Sequence, residues 1–284
     1  MSWSNIQGNM KKTVCFSIDV EPDFAGLLPR EQYCGKNDLY KLGHIVKKYN
    51  LKLTAFATAK TLEENTDILE TLQSMRAEIE QHSYSHQIGH HSKIKDIEKG
   101  IEIHRKILGT SPIGYRSPQG IITKQEAIFL EKMGIGFDAS IFPTFFPGRF
   151  NRLNFPVVPF NIKGSSLIEI PYGVVPRIRI PISLSYMQLL GLETFKFLFR
   201  FFGLPNLIVY DFHTYELGKV TSYSQLPTSA KLGYYRAQRL YRDPIDVFEG
   251  FVKYILSKGF EPKYMVDIYK EVESDVPVWN WDGD

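Results

Sequence analysis

Val14-Cys15-Phe16-Ser17-Ile18-Asp19-Val20-Glu21-Pro22 opens as an apolar run, closes on two carboxylates and stops at a proline. Such a run suits a strand buried on both faces, as in a parallel sheet. Residues 52–57, 78–80, 113–116, 137–140, 167–170 and 207–212 read as further strands. Helical spacing fills the gaps over 38–49, 63–75, 94–108, 123–133 and 244–258. In the first of these Leu39, Leu42, Ile45 and Val46 are the apolar positions. In 123–133, Thr123 serves as N-cap with Glu126 three residues on, and Gly134 is the stop. Residues 264–272 close the domain. Repeated β–α units with short connections give a mostly parallel sheet, and about seven of them can close into a barrel.

Composition narrows the class without choosing a function. The chain has 284 residues, enough for one large α/β domain or two small ones. No linker, repeat or low-complexity tract interrupts it, so 1–12 reads as a polar tail and 13–284 as a single domain. A net charge of +3 gives no argument for nucleic acid as partner. Two cysteines, Cys15 and Cys34, make no disulfide framework, and Cys15 reads as a buried thiol. The first twelve residues lack an apolar core of signal-peptide length, which makes the cytoplasm the expected compartment. Oligomeric state has no signature.

In a parallel barrel, functional side chains sit at the C-terminal ends of strands. Asp19, Glu21, His82, His86, Arg116, Asp138 and His213 all fall there. Asp19 and Glu21 leave their strand on one side, because side chains repeat every two residues. Gln81-His82-Ser83-Tyr84-Ser85-His86 sets two imidazoles four apart, on one face if the segment is a helical turn. Two imidazoles and a carboxylate can hold a divalent transition metal, and a second carboxylate can stay free as general base. A His-rich loop is the plainer alternative, since four of the seven histidines lie in 82–91. Arg116 can hold a carboxylate ionised. Behind it, the turn Pro118-Gln119-Gly120 can aim a backbone N–H at an oxyanion. His213, ending Val209-Tyr210-Asp211-Phe212, can protonate a leaving amine from the opposite side.

Taken in this order over 13–215, the motifs Asp19-Val20-Glu21, His82-Ser83-Tyr84-Ser85-His86, Tyr115-Arg116-Ser117-Pro118-Gln119-Gly120, Asp138 and His213 resemble the polysaccharide deacetylase family, carbohydrate esterase family 4 with its NodB-homology domain. The subgroup most similar carries Asp-Val-Glu at the first motif. The resemblance implies a distorted (β/α) barrel with seven strands and metal-dependent removal of an N-acyl group, in the first instance N-acetyl, from an amino sugar. It implies one divalent metal, Zn²⁺ being expected, with His82 and His86 as ligands. It makes Asp19 the base, Arg116 the residue that holds it, the Gln119 N–H with Pro118 the oxyanion turn, and His213 the acid. Asp138 would orient Arg116 or His213. Where the family usually has a second aspartate, this chain has Val20, so the third ligand falls to Glu21, with Asp23 behind it as the alternative or as a substrate contact. Other outcomes on the same fold are an enzyme for another amide, a formamide or cyclic ureide, with or without metal, and a non-catalytic glycan-binding barrel.

The stretch 182–204 is strongly apolar but is interrupted by Glu193, Lys196 and Arg200, which argues against a membrane span. It reads either as a core helix or as an interfacial helix in peripheral contact with the inner face of the membrane, suited to a lipid-linked sugar. The basic, aromatic run 234–242 reads as a solvated amphipathic segment or a grip on an acidic glycan.

Overall fold

The computed structural model describes residues 11–23, 33–87, 90–218 and 243–281, with 228 and 231 between them. The run 234–242 and most of the N-terminal tail lie outside the described residues.

The strands are β1 (Thr13–Val20), β2 (Leu53–Ala57), β3 (Glu78–Gln81), β4 (Gly114–Tyr115), β5 (Phe137–Asp138), β6 (Phe145–Phe146), β7 (Phe150–Asn151), β8 (Phe160–Ile162), β9 (Ile168–Glu169), β10 (Leu207–His213), β11 (Glu261–Pro262) and β12 (Val278–Trp279). The helices are α1 (Leu39–Lys48), α2 (Ala59–Glu64), α3 (Thr66–Ser74), α4 (His90–Leu108), α5 (Lys124–Lys132), α6 (Leu184–Leu190), α7 (Leu192–Phe202), α8 (Pro244–Ser257) and α9 (Met265–Val272). The main sheet runs β10-β1-β2-β3-β4-β5-β9-β8-β12, with β11 also on β1. Every pair is parallel except β8 on β9.

The seven expected strands are β1 to β5, β9 and β10, and together they give the distorted (β/α) barrel. The ring joins between β9 and β10. Past β9, Ile170 N–H donates to Asp138 C=O at 2.8 Å, and Gly173 N–H donates to Val209 C=O at 2.9 Å. A Cβ on Gly173 would stand 2.9 Å from that carbonyl oxygen and 3.1 Å from the Val209 nitrogen, so only glycine permits the approach. Ser183 then forms a parallel bridge to Asp211.

Alternation along β1 separates two layers. Val14, Phe16, Ile18 and Val20 pack outward with Leu42 of α1 and Phe248, Phe251 and Ile255 of α8. Cys15 points into the barrel among Phe56, Phe137, Ile168, Ile170 and Val209, which plug its lower half. The same inward face continues with Ser17 and Asp19, so the apolar plug is the floor of a polar upper chamber.

Four details differ from expectation. The helix expected over 63–75 is two, α2 and α3, broken at Asn65, whose φ of −130° and ψ of 78° interrupt the helical path. Likewise 182–204 is α6 and α7, parted by Gly191 at φ +87°. The short strands β8, β11 and β12 carry too few residues for a periodic signal. The hairpin β6–β7 turns through Phe146-Pro147-Gly148-Arg149, with Arg149 N–H donating to Phe146 C=O and Gly148 at φ +77°. Pro then Gly at the two central positions is the type II pattern.

On β3, Glu80 is 4% exposed and its Oε2 accepts the N–H groups of Ile113 and Gly114 at 2.9 and 2.7 Å, anchoring the start of β4. Burial, then the charge of Glu78, pushes its carboxyl from about 4.5 up to about 8. The folded state thus binds a proton that the unfolded chain has lost, and this share of stability fades as pH rises from about 4.5 through about 8. Urea midpoints should therefore fall over that range, and Glu80→Gln should flatten the slope. An unchanged slope overturns the assignment.

Candidate active site

The register places the chemistry. Ser17 lies beside Asp211 and Asp19 beside His213 on the adjacent parallel strands β1 and β10. Alternation turns all four toward the chamber while Ile18, Tyr210 and Phe212 face the outer core.

Arg116 leaves the end of β4 fully buried. Its Nη1 donates to Asp19 Oδ1 at 2.6 Å and to Asp211 Oδ1 at 2.7 Å. Its Nη2 donates to Ser17 Oγ at 3.0 Å and its Nε to Ala139 C=O at 2.9 Å. The guanidinium lies 4.1 Å from the ring centre of Phe56 and 4.5 Å from that of Tyr172. Burial opposes its charge, but Asp19, Tyr172 and Asp211 together more than offset this, so it stays a fixed cation. Asp19 Oδ1 is thereby committed. Its other oxygen, Oδ2, stands 3.9 Å from His82 Nε2 and 3.7 Å from His213 Nε2.

Glu21 Oε2 lies 3.1 Å from His82 Nε2 and 2.7 Å from His86 Nε2, with all three side chains buried. Burial disfavours the Glu21 charge, yet His86 and His82 together hold its carboxyl well below the usual range. His86 is the reciprocal case, lowered by burial and raised further by Glu21. His82 Nδ1 sits 2.8 Å from the Arg116 carbonyl and donates to it, which orients the ring so that Nε2 is the atom facing Glu21. Two imidazoles and one carboxylate converging within 4.8 Å fit a divalent transition metal in a site with an open position. A second convergent group, Asp19, Asp211 and His213, is bridged by the Arg116 cation and does not fit one.

The histidines do not sit on a helical turn. Residues 82–87 are irregular, and Ser83 and His86 take φ of 66° and 60°. This segment is held from outside: Asp96 of α4 accepts from Ser85 N–H and Oγ–H, and His86 N–H donates to Ser83 Oγ. Asp23 is not with the histidines. Its carboxylate accepts Cys34 N–H at 2.9 Å, so Glu21 completes the triad.

Asp138 touches neither Arg116 nor His213, contrary to expectation. Its Oδ1 accepts from Ser140 Oγ at 2.6 Å, and Ser140 Oγ accepts Ser117 N–H at 2.7 Å. Burial raises Glu169 well above its ordinary value and raises Asp138 too, so the adjoining pair shares a proton behind the Arg116 loop. In that loop Pro118 is buried, and Gln119 at φ 59° and Gly120 at φ 66° are both left-handed. No hydrogen bond among the described residues uses the Gln119 N–H. His213 has Glu216 Oε2 3.7 Å from Nδ1. Burial resists its protonation, but Glu216, Asp211 and Asp19 lift its pKa well above the usual value, so it carries a proton. Asp211 was missed in the sequence. Burial and Asp19 push it up to about 8 in spite of Arg116. Its signal was available: a carboxylate two residues before His213 shares its face.

The polysaccharide deacetylase family model matches residues 10–137. A structure described as that of a polysaccharide deacetylase from Mycobacterium smegmatis is similar at 15% identity and a TM-score of 0.63, covering 94% of this chain and 92% of that one. The family model thus matches the part of the chain that carries Asp19, Glu21, His82, His86 and Arg116, and the structure shows the same fold. A family pseudoenzyme from Bacillus anthracis matches at 11% identity and TM-score 0.55, over 95% of this chain and 67% of its own. The Puue allantoinase matches at 14% and 0.55, over 92% and 91%. At such identities the likenesses show the fold alone. No curated protein matches the chain.

Replacing Glu21 with Gln or His82 with Ala should weaken metal binding by more than the roughly 10–100-fold that loss of an outer partner costs. Elemental analysis after dialysis against Zn²⁺ reads this. Full occupancy in both variants overturns the ligand set.

Proposed function

We propose that this chain hydrolyses the N-acyl group, N-acetyl first, of an amino sugar in a polysaccharide, cell-wall or lipid-linked glycan, using one divalent metal, Zn²⁺, on Glu21, His82 and His86. The family match and the deacetylase among the structural neighbours indicate a hydrolase acting on carbon–nitrogen bonds other than peptide bonds. The observation that carries the reading is Asp19: one oxygen is tied to Arg116 and the other is bare between His82 and His213. A base held this way abstracts a proton without turning toward its own cation. Bound metal would polarise the acyl carbonyl and lower the pKa of a water towards ~7. Asp19 Oδ2 takes the proton of the attacking water. The Gln119 N–H, uncommitted within the described fold, meets the oxyanion. His213 enters protonated and passes its proton to the departing sugar amine. A pure binding module needs no base and acid set side by side in one chamber.

Acetate and formate release over a panel of N-acylated sugars, sugar nucleotides, lipid-linked sugars and allantoin tests this. Activity should vanish with chelator, return with Zn²⁺, and drop about 10²–10⁴-fold in Asp19→Asn with metal retained. Turnover of allantoin alone, or near-normal activity in Asp19→Asn, overturns it.

The same reading extends to a lipid surface. Among the described residues no helix is long and apolar enough to cross a membrane. The inner face of α6 and α7 is core, with Leu184, Met187, Leu192, Phe195 and Phe199 buried. The outer face bares Phe197 at 64% and Phe201 at 72%, rings stacked 6.4 Å apart. Arg200 is exposed beside them, and Lys196 and Lys258 lie 5.8 and 5.4 Å from the Tyr254 ring, which stacks on Phe199. Bare aromatics beside cations suit the interface of an anionic bilayer. The protein should float with phosphatidylglycerol vesicles at low salt, and Phe197→Ser with Phe201→Ser should abolish this. Failure of the parent protein to float overturns the lipid contact.

A further inference from the structure

We infer that the β6–β7 hairpin is a sugar platform: Phe146 and Phe150, paired across it, receive the pyranose ring next to the one being deacylated, and Arg149 meets an anionic substituent on it, a phosphate or a carboxylate. This rests on the amino-sugar reading above. Topology puts the hairpin on the right face. Chain leaving β5 emerges on the side of Arg116, and β8, antiparallel to β9, carries it away again, so everything between them stays with the site. Phe146 is 37% exposed and Phe150 is half-buried, which costs free energy for rings of this size unless a ligand covers them.

The hairpin is tied to the oxyanion turn. Arg152, buried at its base, donates from Nη1 to Gly120 C=O at 2.8 Å, one residue from Gln119. From there cations and rings alternate outward. Arg152 lies 4.2 Å from the Phe150 ring centre, Phe150 and Phe146 are 6.0 Å apart, and Arg149 lies 5.0 Å from Phe146. The ladder starts against the catalytic turn and ends at an exposed guanidinium. At the inner end, Phe142 stacks on Tyr172 at 3.5 Å, and its ring edge would lie within 3.0 Å of a Cβ on Gly120. Flat apolar rings with a cation at the rim match a pyranose, whose C–H faces are apolar and whose substituents are polar.

The test uses the metal-loaded full chain and two N-acetylated oligosaccharides of equal length, one neutral and one uronate- or phosphate-bearing. Phe146→Ala with Phe150→Ala should raise KM for both about 5- to 20-fold and lower kcat far less. Arg149→Gln should raise KM only for the anionic glycan. Tyr40→Ala, which removes an exposed ring on α1, serves as control. Unchanged KM in the double variant overturns the platform, and equal losses for both glycans in Arg149→Gln overturn the anionic assignment. Should the parent protein release no acyl group from any sugar, the functional reading fails by itself. Saturation-transfer NMR then decides the platform separately: sugar contact present in the parent and lost in the double variant upholds it, and contact absent or retained in both overturns it.

Discussion

A guanidinium with no exposure to solvent is the constraint on which this architecture turns. Burying the Arg116 charge is costly unless paired and hydrogen-bonded donors and acceptors replace water. Here six acceptors or rings do so from five different segments: Ser17 and Asp19 on β1, Phe56 on β2, Ala139 after β5, Asp211 on β10 and Tyr172 past β9. The cation therefore pins the upper ring of the barrel together. Its backbone carbonyl also orients the His82 ring. One residue links Asp19, His82 and the strand that carries His213.

The support continues outward in polar layers that a core of hydrocarbon would not supply. The proton shared by Asp138 and Glu169 lets two carboxyls sit together in the interior, and through Ser140 that pair grips the Ser117 N–H. Asp96 does the same for the histidine segment from α4. Both contacts fix main chain whose left-handed residues, Ser83, His86 and Gln119, would otherwise cost strain.

Much of this was legible in sequence because period and position carry it. Seven strands, their order, and polar residues at strand ends follow from apolar runs and turn residues, and Val20 followed by Glu21 pointed to the carboxylate that does join His82 and His86. What stayed hidden depends on partners remote in the chain. Asp138 shows a charge at a strand end but nothing of Glu169. Asp211 sits inside an apolar run, where it reads as strand filler until its neighbour Ser17 and the cation across the chamber are known. The histidine spacing suggested a helix, yet irregular backbone brings both rings to one carboxylate equally well. The Pro147-Gly148 turn went unread because its flanking Phe residues are too few for a period.

Ser183 caps α6 by accepting Tyr186 N–H, and its backbone bridges to Asp211. The two helices with the bare phenylalanines therefore hang from the strand segment that steadies Arg116. Force applied at that outer surface has a short covalent and hydrogen-bonded path to Asp211 and Arg116, so the proposed lipid contact and the proposed chemistry rest on connected rather than independent parts of the molecule.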